Sequence, residues 1–194
     1  DIFPEGQLGI LVDGKVVGSA LSIIVDLGSF GEQHSYEQIT GNYTFDTHDP
    51  DGDVLYGIEI RHVLEVVIRN PKTKITQIPH MPPFAKGVIN LRGKVVPIID
   101  LHLRFGLPES PYDERTCYVV VNISGVITGL VVDTVAGVVS IPDGNIDEPP
   151  HLESSIQSRF IAGMGKTPEQ VYILLDVNKL FGKEELDQLR RSTE

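Results

Sequence analysis

The sequence predicts a mainly β fold, and three observations carry that prediction. Short β-branched runs recur along the chain, among them Val95-Val96-Pro97-Ile98-Ile99, Thr116–Val121 and Val171–Leu175. Turns containing Gly or Pro separate the runs, and no regular series of helical patterns alternates with them. Many short strands without alternating helices suit barrels or sandwiches rather than a parallel α/β sheet. With 194 residues and 41% hydrophobic content, the chain can bury a packed core.

In chain order, Gly6–Val12, Asp13-Gly14 and Lys15–Val25 read as a hairpin, because Asp-Gly between apolar runs is a strong turn signal. A polar stretch follows from Gly28 to Gly41, then Tyr43-Thr44-Phe45 and an acidic loop over His48–Asp53. Glu59–Val67 fits either a short helix, with Ile60, Val63, Leu64 and Val67 on one face, or a bent strand. Pro71, Pro79, Pro82 and Pro83 break 70–83 into loop. Gly87–Leu91 and Val95–Ile99 flank a tight Arg92-Gly93-Lys94 turn and read as strands buried on both faces. Asp100 stands where a helix N-cap belongs, with Leu101, Leu103 and Phe105 following and Gly106 as the stop. Arg115–Ile123, the Ser124-Gly125 turn and Val126–Val132 form the next hairpin. Val138–Ile141 precedes a loop with Pro142, Pro149 and Pro150, and Val171–Leu175 is a last strand. Lys183–Arg191 closes as an amphipathic helix, with Leu186 and Leu189 on one face and Arg190-Arg191 late, which suits the helix dipole.

Charge and composition exclude several functions. Net charge is −11, which argues against nucleic acid as a partner, since phosphate binding needs a basic face. Residues 1–58 carry ten acids and one base, and the remainder seventeen acids and fifteen bases, a step that suggests two segments of different role. No apolar run approaches the roughly 20 residues a membrane helix needs, so direct membrane insertion is not expected. The lone Cys117 excludes an internal disulfide and reads as a buried, inert thiol in a strand. The six histidines are scattered without metal-ligand spacing, and Asp49, Asp51 and Asp53 lack the downstream glutamate of a calcium loop. No nucleophile elbow, phosphate loop or dinucleotide fingerprint is present. Ser154-Ser155 near His151 reads as a loop cluster. No catalytic residue, cofactor or metal is expected.

Five blocks in order carry a resemblance. They are Tyr56-Gly57-Ile58-Glu59-Ile60 with Val63 and Glu65; Phe84–Leu107; Gly129–Val138; Phe160–Gly165; and Val171–Asp176 with Leu180-Phe181. Together they resemble the CheW family of chemotaxis coupling adaptors over roughly residues 54–189. The resemblance implies two small five-stranded β-barrels side by side with a hydrophobic core between them, short helices and a C-terminal helix. It implies a non-catalytic scaffold between chemoreceptors and the histidine kinase CheA, cytoplasmic and held at the inner face of the membrane through receptor arrays. The implied partners are the regulatory domain of that kinase and the cytoplasmic tip of methyl-accepting chemoreceptors. By the same resemblance Arg92, Val135 and Val138 are receptor-binding, and Val63, Glu65, Ile75 and Gly87 are kinase-binding.

Residues 2–58 resemble, more weakly, a fragment of a GNAT-type N-acetyltransferase through Phe3–Gln7, Asp13–Gly18 and His48–Gly57. The glycine-rich loop that would hold acetyl-CoA phosphates at a helix start is missing. The domain division this suggests is an atypical acidic segment 1–53 followed by a coupling domain 54–189. Two alternatives accompany it: an acetyltransferase-related or chimeric protein without a complete acetyl-CoA site, and a CheW-like domain excised from a kinase or a receiver-fused adaptor. The N-terminal hairpin would have to supply the first strand of its barrel, and self-association through that hairpin is a further expectation.

Overall fold

The computed structural model describes residues 11–12, 15–16, 19–26, 55–149 and 158–193. Thirteen strands and two α-helices are formed in them. The strands are β1 (Leu11–Val12), β2 (Lys15–Val16), β3 (Ser19–Asp26), β4 (Leu55–Glu59), β5 (Val63–Ile68), β6 (Ala85–Leu91) and β7 (Lys94–Asp100). Helix α1 (Leu101–Arg104) follows, then β8 (Cys117–Ile123), β9 (Val126–Val132), β10 (Thr134–Pro142), β11 (Ile146–Asp147), β12 (Ile161–Lys166), β13 (Val171–Leu175) and α2 (Lys183–Arg191).

Two sheets build two β subdomains. One has five strands in the order β5-β8-β9-β7-β6, the other six in the order β10-β3-β4-β13-β12-β11. The expected pair of small β subdomains is present, but among the described residues neither sheet is closed into a barrel by its own ladder. In the five-stranded sheet two contacts bring the edges β5 and β6 together instead. The chain leaving β5 returns so that Thr76 and Val88 of β6 exchange N–H···O bonds of 2.8 Å in both directions. Arg92, just after β6, reaches Glu65 on β5 with 2.8 Å between Nη1 and Oε2. Most neighbours are antiparallel, while β7–β9 and β4–β13 are parallel.

Three apolar cores follow from the alternation of side chains along strands. The largest lies between the subdomains: Ile99, Val119, Val121, Leu130 and Val132 face Tyr56, Ile58, Met164, Ile173 and Leu175. Ile89, Val96, Ile98, Tyr118 and Val131 fill the five-stranded side, and Ile24, Leu55, Ile141, Tyr172 and Leu174 the six-stranded side. Strands β8, β9 and β13 therefore touch a core on each face, which is why their sequences are continuously apolar. The same expectation fails for Gly87–Leu91 and Val95. β6 is an edge strand, so Asn90 is exposed and Val88 half-buried, and Val95 at the start of β7 is exposed too.

Glu59–Val67 resolves into the end of β4, a 3₁₀ turn over Ile60–His62 and most of β5. The ladder with β8 decides against a helix there. At the N-terminus, Leu11–Val12 pairs antiparallel with Lys15–Val16, as the hairpin reading requires. Within 15–25, β2 pairs with β1, and β3 enters the six-stranded sheet between β4 and β10. Gly6–Ile10, the Asp13-Gly14 turn, Gly28–Asp53 and the His151–Ser155 loop lie outside the described residues. β12 is a strand beyond those the sequence predicts.

Candidate functional site

The hairpin β6–β7 presents Arg92 by a specific local mechanism. Arg92 and Gly93 both have positive φ, 52° and 84°, the requirement of the two-residue turn whose twist matches its flanking strands. Glycine accepts that conformation freely, whereas arginine there costs about 1 kcal/mol. Asn90 steadies the turn: its Oδ1 accepts from the Gly93 N–H at 2.8 Å. The hairpin β8–β9 repeats the device, with Ser124 and Gly125 at φ 51° and 85° and Asn122 Oδ1 accepting from Gly125 N–H at 2.9 Å. The shared spacing, Asn then turn residue and Gly two and three positions on, is the signal that would have identified both turns together.

The Arg92 side chain is 75% exposed, and its ion pair reaches a Glu65 that is only 27% exposed. A receptor-binding candidate and a kinase-binding candidate are therefore direct partners. Around Glu65 the edge strand β5 is apolar on its outer side: Leu64, Val66 and Ile68 are 50%, 39% and 68% exposed. Leu64, Val66 and Ile68 are missing from the site residues read in the sequence, because Val63–Ile68 is apolar on both sides of Glu65 and does not reveal which face is outward. A bulge between Val63 and Glu65 shifts the register with β8. Val63 turns partly toward the central core.

Ile75 and Gly87 are also brought together. Gly87 has φ 135° and is buried, and a Cβ on it would lie 2.2 Å from the Thr76 carbonyl oxygen and 3.0 Å from Ile75 Cγ2. All four kinase-binding candidates thus belong to the five-stranded subdomain. The receptor-binding candidates are divided: Arg92 is in that subdomain, while Val135 and Val138 are on β10 of the other. Val138 is exposed, whereas Val135 is half-buried against the central core.

Behind the hairpin, Asp100 caps α1 as expected, its Oδ1 accepting from Leu103 N–H at 3.2 Å. Its other oxygen accepts from the Tyr112 hydroxyl at 2.6 Å. Burial, then the bond to Asp100 and its negative charge, push the Tyr112 phenol well above its ordinary range. His102 is buried beside two carboxylates, with Nδ1 3.9 Å from Asp100 Oδ1 and Nε2 3.5 Å from Asp133 Oδ2. Cys117 is buried, with Sγ 3.2 Å from the Arg115 carbonyl oxygen, and burial pushes its thiol up. Such a thiol is held protonated, in the form that is a poor nucleophile. Among the described residues no helix is long and apolar enough to cross a membrane.

The model of the CheW-like domain family matches residues 51–185. Chemotaxis protein CheW of Klebsiella aerogenes is 37% identical over 135 residues, 70% of this chain and 80% of that protein. Chemotaxis protein CheW of Treponema pallidum is 32% identical over 142 residues, 71% of this chain and 82% of that protein. The crystal structure of the scaffolding protein TtCheW from Thermoanaerobacter tengcongensis matches with a TM-score of 0.63 at 31% identity, covering 84% of this chain and 94% of that one.

Proposed function

The chain belongs to the CheW-like domain family, as a chemotaxis scaffold, and from that premise we propose that it couples the histidine kinase CheA to methyl-accepting chemoreceptors without catalysing a reaction. The five-stranded subdomain takes the kinase's regulatory domain, through Val63, Glu65, Ile75 and Gly87. The receptor's cytoplasmic hairpin tip is taken by Arg92 together with Val135 and Val138. The coupling takes place in the cytoplasm, at the inner face of the membrane where receptors cluster.

One observation carries the reading: an outward apolar stripe, Leu64, Val66 and Ile68, flanks the Glu65–Arg92 ion pair on an edge strand. Contiguous exposed apolar side chains beside fixed charges favour a protein partner over a small substrate. Arginine suits such a surface because its planar fork can hold carboxylates or carbonyls in two places. Each contact needs only modest affinity, since an array multiplies it.

Calorimetric titration with a purified CheA regulatory domain tests the proposal. Saturable binding near one to one is expected. Val63→Asp places a charge against the core side of that face and should weaken kinase binding at least tenfold. Arg92→Ala should weaken receptor binding instead, with the fold intact. A folded chain that binds neither partner refutes the coupling role.

A further inference from the structure

A second feature joins the two subdomains and has no counterpart among the residues assigned above. Arg104, the last residue of α1, is 8% exposed on its side chain. Its Nε donates to the Leu180 carbonyl at 2.5 Å, and Nη1 and Nη2 donate to the two Glu185 oxygens at 3.2 and 2.9 Å. The guanidinium carbon lies 4.4, 5.1 and 5.6 Å from the ring centres of Phe84, Phe160 and Phe181. A buried cation is costly unless it is fully paired. Here a two-point carboxylate contact, a carbonyl and three ring faces compensate it. Burial still pushes the guanidinium below its ordinary value, Glu185 pulls it back up, and the charge of Arg159 presses it down.

The partners come from both halves of the molecule. Phe84 precedes β6, and α1 continues β7, so both belong with the Arg92 hairpin. Phe160 precedes β12, and its carbonyl accepts from Asp176 N–H at 2.8 Å, just after β13. Leu180 and Phe181 follow β13 and come with Phe160 from the other half, whereas Glu185 is in the first turn of α2, a helix that packs back against β9 and so holds Arg104 from its own side.

We propose that Arg104 is a positioning residue for receptor engagement, whose clasp on Phe160 and Leu180, aimed by Glu185, fixes the subdomain bearing Arg92 against the subdomain bearing Val135 and Val138. This rests on the reading of those three residues as one receptor-docking face. It makes a distinction that a general loss of stability would not. The kinase-binding residues all lie in one subdomain, so a loosened clasp leaves their arrangement unchanged. The receptor-binding residues span both, so the same change disturbs theirs.

The test uses the full chain with Arg104→Lys and Glu185→Gln. Lysine keeps the charge but cannot reach the carbonyl and both carboxylate oxygens together. Glutamine keeps the shape of Glu185 and removes its charge. Each variant is titrated against a purified chemoreceptor cytoplasmic fragment and against the CheA regulatory domain, at a temperature where its circular dichroism equals that of the unsubstituted chain. At least fivefold weaker receptor binding is expected, with kinase binding within twofold. Equal losses for both partners, or none for either, overturn the proposal. If Arg104→Lys does not fold, Glu185→Gln carries the test, because it weakens the carboxylate hold that aims the guanidinium at Leu180 and Phe160. Failure of the unsubstituted chain to bind the receptor fragment is a different result, and it overturns the docking face itself.

Discussion

Among the described residues, buried Asp100, His102 and Arg104 follow directly on the hairpin that presents Arg92. Asp100 is 1% exposed and ends β7, and both of its oxygens are used, one by the start of α1 and one by Tyr112. Removing the Tyr112 hydroxyl leaves a buried carboxylate oxygen without that donor, so Tyr112→Phe should cost about 1–2 kcal/mol in urea unfolding at neutral pH. The pH dependence has a definite sign. The fold holds the Tyr112 phenol neutral and raises its pKa. The unfolded chain therefore loses that proton first as pH rises. Stability from this group is fully present below the ordinary tyrosine value and declines once pH passes it. Buried Tyr56 acts in the same direction, so the alkaline decline should become shallower in Tyr112→Phe without vanishing. An unchanged slope above about pH 10, measured by urea midpoints, would show that the Asp100 bond does not hold the phenol.

At the scale of elements, the folding logic is mostly that of turns and edges. The β6–β7 hairpin was legible because Gly93 follows Arg92 between β-branched runs, and α1 because Asp100 precedes Leu101, Leu103 and Phe105 with Gly106 behind. α2 was legible from its charge order and its Leu186–Leu189 face. β12 was not, because Gly163 and Gly165 look like loop residues until β13 pairs with them. β5 was ambiguous, because its residues fit a helical face until β8 supplies the ladder. The Arg104 clasp was invisible, because its partners lie 76 and 81 residues further along the chain. Gly87 lies between legible and hidden. A family resemblance made it a kinase contact, but the backbone shows a local duty as well. With φ at 135° and the Thr76 oxygen 2.2 Å from any added Cβ, Gly87→Ala must push back the 75–76 segment that covers the β6 edge. The expected cost is about 2–4 kcal/mol, from strain and from the lost Thr76–Val88 pairing. Kinase binding should fall with it through the displaced Ile75. If Gly87→Ala has the parent's urea midpoint and still loses kinase binding, Gly87 is a contact residue and not a spacer.

At the scale of the whole molecule, the composition break near Val54 and the sheet topology draw different outlines. The acidic segment reads as foreign to the coupling domain, yet β3 from within it is an interior strand. It pairs with β4 from Ser22–Glu59 to Asp26–Leu55 and with β10 from Ser19–Pro142 to Asp26–Thr134. Ile24, 1% exposed, completes the core it shares with Leu55, Ile141, Tyr172 and Leu174. Among the described strands the order is β10-β3-β4, so there β10 is bonded into the sheet through β3, and β10 carries Val135 and Val138. A chain reduced to 54–194 should therefore lose more than an appendage. Emptying the Ile24 site alone costs about 2–5 kcal/mol, against a total stability on the order of 5–15 kcal/mol for a domain. It would also leave β4 and β10 as unpaired edges open to aggregation. We expect 54–194 to be insoluble, or to lose receptor binding if the five-stranded subdomain keeps it soluble. A chain of 19–194 should unfold in urea with a midpoint close to that of the full chain. The contrary result is equally informative. If 54–194 unfolds cooperatively at the full chain's midpoint and still binds a receptor fragment, β3 is dispensable, and the break at Val54 marks a true domain boundary.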